Sequence, residues 1–125
     1  MTIDEAVSQF DMLFPNSLPF EQKLIQLSRL DKRVYDDVYS KYHDCPVDSF
    51  EGYTRFTPVG TVLLIPFPYD DIYVKYLAAE TDLINGDIGR YNNSAVVFNT
   101  AYAAFRSMYN RTHRWKKTVT AGDIV

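Results

Sequence analysis

Cysteine and histidine are scarce in this sequence. One cysteine, Cys45, stands among 125 residues, so no internal disulfide can form, and the chain suits a reducing compartment. The two histidines, His43 and His113, are far apart. There is no glycine-rich phosphate loop, no GxSxG and no HExxH. The opening MTIDEAVSQF lacks the basic and apolar blocks of a signal peptide. The longest apolar run, VLLIPFP, is too short and too proline-broken to cross a bilayer, so no membrane partner is expected. Basic excess is also missing. Thirteen Lys and Arg against sixteen Asp and Glu give a net charge of −3, which argues against a strongly basic nucleic-acid binder. A further gap is local: between Tyr91 and Tyr109 the only charged residue is Arg106.

Aromatics are plentiful, with ten Tyr and eight Phe against one Trp. Tyrosine joins an apolar body to a polar tip, which suits surfaces that are wet at one stage and buried at another. The length fits one domain, 1–125, and allows a core that needs no staples. The spacing predicts a mainly α fold. Ile3, Val7, Phe10 and Phe14 recur at helical steps, and Thr2 with Glu5 has capping-box spacing. Pro15 and Pro19 end that helix. A second helix is predicted over about 19–42, with Phe20, Leu24, Leu27, Val34 and Val38 on one stripe. Asp31 interrupts the stripe, where it caps a break or pairs with a distant cation. Between 43 and 68 the helical period is lost. The β-prone runs 53–57 and 61–65 flank PVG and predict a hairpin or an irregular extended loop. A third helix is predicted over 71–85 with Asp70 as N-cap. Asn85-Gly86-Asp87 stops it, and a fourth helix over 88–112 completes a long helical hairpin. Beyond it, about 112–125 reads as a basic tail.

Placed at 100° per residue, Tyr91, Ala95, Phe98, Tyr102, Phe105 and Tyr109 form one stripe of the fourth helix, the core face. The opposite face carries Asn92, Asn93, Val96, Asn99, Thr100, Ala103, Ser107 and Asn110, all small or neutral. It is either a solvated face without Lys and Glu or a contact with another protein surface, whose core is usually poor in charge. The third helix is similar: Tyr73, Tyr76, Leu77 and Ile84 share one stripe, with Ile72, Ala79 and Leu83 nearly opposite. Two adjacent helices that are apolar on both sides are hard to satisfy within one small monomer. Asn92, Val96, Asn99, Ala103, Ile72 and Leu83 are therefore candidates for self-association.

Groups that carry chemistry are few. His43, Asp44 and Cys45 are adjacent and suggest a thiolate–imidazole pair or a zinc ligand set, but neighbours seldom aim at one point and no second cluster completes four ligands. Asp36–Asp37 and Asp70–Asp71 fit solvated surface and a helix N-terminus better than an acid/base dyad. Glu80 lies on an apolar stripe, where Arg90 or Arg106 could pair with it across the hairpin. No catalytic residue, metal site or cofactor is expected. Arg111, Arg114, Trp115, Lys116 and Lys117 form a basic cluster. It either complements a helix end or contacts an acidic partner or a nucleic-acid backbone.

The stretch LLIPFPYDDIYVKYLAAETDLINGDIGRYNNSAVVFNTAYAAFRSMYNRTH, together with TIDEAVSQFDMLFPN and LSRLDKRVYDDV, resembles the head–tail connector, or adaptor, proteins of tailed phages and prophages of Gram-positive bacteria. The similarity spans most of the chain. It implies a mainly helical, non-enzymatic virion protein that assembles as a homo-oligomeric ring on the portal protein, extends the DNA channel and meets the next neck or tail component. It implies a location in the virion neck, and in the bacterial host cytoplasm during assembly. It also implies that the basic cluster faces the portal or channel DNA, and that 118–125 docks on a neighbour or on the portal. Another neck or tail-completion role is the first alternative. A small Cys/His-dependent enzyme is the second.

Overall fold

A computed structural model describes residues 1–42 and 47–113 of the chain. Helices α1 (Ile3–Leu13), α2 (Phe20–Asp37), α3 (Ile72–Ile84) and α4 (Ile88–Thr112) form a small bundle. Short 3-10 turns, Tyr39–Lys41 and Tyr69–Asp71, follow α2 and precede α3. The mainly α expectation holds.

Each boundary has a local cause. The Thr2 hydroxyl accepts from the Glu5 amide at 3.1 Å, and the Glu5 carboxylate accepts from the Thr2 amide at 2.9 Å, completing the capping box. The next two free amides of α1 find carbonyls in the distant loop: Ile3 donates to Thr61 at 3.0 Å and Asp4 to Val59 at 2.9 Å. All the orphan donors of that helix end are thus satisfied. Gly86, at φ +74°, ends α3, and the Asp87 side chain accepts from the Arg90 amide to open α4. Asp70 is not the cap of α3. That place falls to Asp71, whose carboxylate instead pairs with Lys75 at 2.8 Å. Asp70 lies 3.5 Å from the Met1 amine.

The α3–α4 hairpin is antiparallel. Tyr76 meets Phe98 with ring centroids 5.0 Å apart, and Tyr69 meets Phe105 at 5.9 Å, so the chain numbers run in opposite directions along the contact. α3 also packs on α1 and α2, which makes it the central helix. Ile72, Tyr73, Val74, Leu77, Ala78 and Ala79 are all buried. This overturns part of the sequence expectation: both apolar sides of α3 are covered within one chain except at its last turn, where Leu83 and Ile84 are exposed.

The segment 47–68 forms no hairpin. Its one β-bridge joins Val62 to Thr2, at the start of α1. The irregular extended loop is the alternative that holds. Its polar groups bind to helices. Ser28 accepts from the Tyr53 amide at 2.8 Å, Tyr39 donates to the Leu64 carbonyl, and Tyr35 donates to the Asp48 carbonyl.

Asp31 is the centre of this attachment. It sits in an unbroken α2, fully buried, and no cation pairs with it among the described residues. Its carboxylate accepts from the Tyr53 hydroxyl, from the Leu64 amide at 3.1 Å and from the Tyr73 hydroxyl at 2.5 Å. Tyr73 in turn accepts from the Ile65 amide at 2.6 Å. The helix runs through Asp31 as one piece, as the single predicted helix requires, and in place of the alternative cation its partners are hydroxyls and an amide.

Candidate interaction surface

α4 carries two faces, as the angular reading expects. Phe98, Tyr102, Phe105 and Tyr109 are buried, while Tyr91 and Ala95, towards the hairpin turn, are only half-buried. Tyr109 packs against Tyr39 and Tyr42, each at 5.0 Å between centroids. Arg33 of α2 lies 4.5 Å from the Tyr102 ring centroid and 5.7 Å from that of Phe98. Burial first, and then the nearby Asp37 carboxylate, raise the Tyr102 phenol to about 12. Its hydroxyl keeps its proton at neutral pH and donates towards Asp37 at 3.4 Å.

The other face is open. Asn92, Val96, Asn99 and Ala103 are exposed, Val96 by 63% of its surface. Asn110 is a partial exception, because its side-chain oxygen accepts from the Tyr42 hydroxyl. Leu83 is exposed near the hairpin turn. Ile72 is not part of this surface: it is 0% exposed, so its candidacy for self-association is withdrawn. The cause is the central position of α3, which has helices on three sides.

Arg111 is exposed in the last turn of α4, where a cation complements the helix dipole. Arg114, Trp115, Lys116 and Lys117 lie outside the described residues, as do His43, Asp44 and Cys45. His113 stacks on Tyr109, with centroids 3.6 Å apart. Glu80 forms no ion pair with Arg90 or Arg106 among the described residues. Its neighbour is the Tyr76 phenol, raised to about 12 mainly by burial and then by the Glu80 charge. Among the described residues no group of three His, Cys, Asp or Glu is arranged to hold a metal. No described helix is long and apolar enough to cross a membrane.

Comparison with protein-family models, with curated proteins and with solved structures found no match.

Two features escape the sequence. The first is an exposed apolar series on the long loop, formed by Phe56, Val59, Val62 and Phe67. VLLIPFP reads as one apolar run, yet Leu63 and Ile65 point inward while Val62 and Phe67 face out. The second is a groove of about 360 Å³ between the end of α1 and the α3–α4 hairpin. Phe14, Ala78 and Val97 form its apolar wall, and Lys75, Asp82 and Arg90 supply charge. A smaller recess shares Phe14, Ala78, Asp82 and Arg90 with it and continues to Thr81 and Asn85. No periodicity within one helix encodes a groove built from three.

Proposed function

We propose that this chain is a structural virion component, a head–tail connector that assembles as a ring on a phage portal and extends its DNA channel. One observation carries the proposal: the exposed face of α4, with Asn92, Val96, Asn99 and Ala103, bears neutral, small side chains along most of a 25-residue helix. A helix face left to water normally carries charge, whereas a protein contact tolerates small neutral groups that let backbones approach and amides bond across. The sequence resemblance to connector proteins supports the same assignment. So does the exposed apolar series on the loop, since a ring subunit must present two different surfaces to its neighbours.

Electron microscopy of portal-bearing particles assembled with and without the protein tests the proposal. The expected result is an added ring of density beneath the portal, with α4 at a subunit boundary. Particles that bind no protein, or bind single unassociated copies, would refute it.

A further inference from the structure

The groove and the loop fit each other. The groove has an apolar wall and a cation in search of a partner. Arg90 is exposed, and its guanidinium takes part in no ion pair among the described residues. The other charges are engaged: Lys75 with Asp71 at 2.8 Å, and Asp82 with the Ser94 hydroxyl at 2.8 Å. At the inner end, Thr81 is 7% exposed and its hydroxyl lacks a hydrogen-bond partner among the described residues. A buried hydroxyl without a partner is costly, so this end of the recess is unfinished.

The matching piece precedes α3. Phe67 is 84% exposed, the most exposed of the large apolar side chains described. It stands between Pro66 and Pro68, beside a turn closed by the Tyr69 amide donating to the Pro66 carbonyl at 2.9 Å. Four residues on, the Asp71 carboxylate is largely exposed; Lys75 holds one of its oxygens in an exposed i,i+4 pair at 2.8 Å, a weak tie that leaves the other oxygen for an incoming arginine. An aromatic ring with a carboxylate one short step away is the complement of an apolar groove with an arginine on its rim.

We propose that the groove of one copy receives Phe67 of a second copy, with Asp71 of the incoming copy paired to Arg90. The contact joins unlike parts of the surface, and where it is not reciprocated within one pair, repeating it head to tail builds a chain or a closed ring. It rests on the self-association in the connector proposal and adds a second contact beside the outer face of α4.

Two variants of the full chain test it: Phe67→Ala removes the knob, and the double variant Val97→Asp, Arg90→Glu spoils the groove. All three positions are exposed, so thermal unfolding should match that of wild type. Sedimentation velocity up to about 1 mM, where even a weak contact populates complexes, is the readout. Wild type is expected to associate with rising concentration, and each variant alone to stay monomeric. An equimolar mixture of the two is expected to stop at dimers, because it contains one intact knob and one intact groove per pair. Wild type that stays monomeric throughout, variants that associate like wild type, or a mixture that does not dimerise would each overturn the proposal. The same variants added to portal-bearing particles separate the two claims. Rings formed by the variants would leave the connector proposal standing and remove this contact. Dimers in solution with no particle binding would do the reverse.

Discussion

Asp31 accepts three hydrogen bonds and has no counter-charge among the described residues, a combination with consequences for stability. Replacing it by Ala leaves two tyrosine hydroxyls and the Leu64 amide without their acceptor. The expected loss, read from urea unfolding, is about 1–3 kcal/mol for each neutral donor left buried without an acceptor. Burial raises the Asp31 carboxyl from 3.8 to about 6, against the pull of Tyr53, Tyr73 and Leu64. The folded value lies above the unfolded one, so the protein is favoured by a protonated Asp31. That contribution is complete below about pH 4 and is lost as pH rises through 6. Wild type compared with Asp31→Asn should lose about 2–3 kcal/mol of relative stability between pH 4 and 7. A flat difference would show that the carboxyl does not titrate in that window. The sequence marks Asp31 as a misfit in its stripe. It does not name the partners, which lie 22, 33 and 42 residues away.

At the level of elements, the helices were readable because their signals are local. The capping box, Gly86 and the aromatic stripe of α4 each act within a few residues, and the observed ends follow them closely. α2 stops earlier than its stripe suggests, at Asp37, with a 3-10 turn carrying Tyr39 and then Tyr42 into the core. The loop was less legible. Its β-prone runs bind to the start of α1 and the side of α2, and such long-range pairing leaves no periodic trace. The same limit hid the groove, since Phe14 belongs to the apolar stripe of α1 yet emerges half-exposed against α3 and α4. Gly52 shows how closely the loop approaches α2. It sits at φ +105°, and a Cβ there would lie 2.8 Å from the Ser28 hydroxyl. That hydroxyl already holds the Tyr53 amide, so it cannot swing away freely. Gly52→Ala is expected to cost about 1–3 kcal/mol in thermal or urea unfolding. An unchanged midpoint would show that the loop yields at that point.

For the whole molecule, the division is between a core closed within one chain and a surface that is not. Most of α3 is covered by its own neighbours, whereas the outer face of α4 is exposed. Val96→Arg combined with Ala103→Arg should leave the unfolding midpoint of the free protein nearly unchanged, since both sites are exposed. On the connector proposal the pair should abolish the ring expected on portal-bearing particles, as judged by electron microscopy; retained rings would place the subunit boundary elsewhere. The attachment of 47–68 has one more consequence. A segment without helix or strand would ordinarily be the first place a protease cuts, and Arg55 stands exposed within it. Here Tyr53, Leu64 and Val62 are each tethered to a helix or its cap, so a trypsin active site cannot draw the backbone out without first breaking those ties. Cleavage after Arg55 should therefore keep pace with global unfolding, and mild digestion should spare this loop.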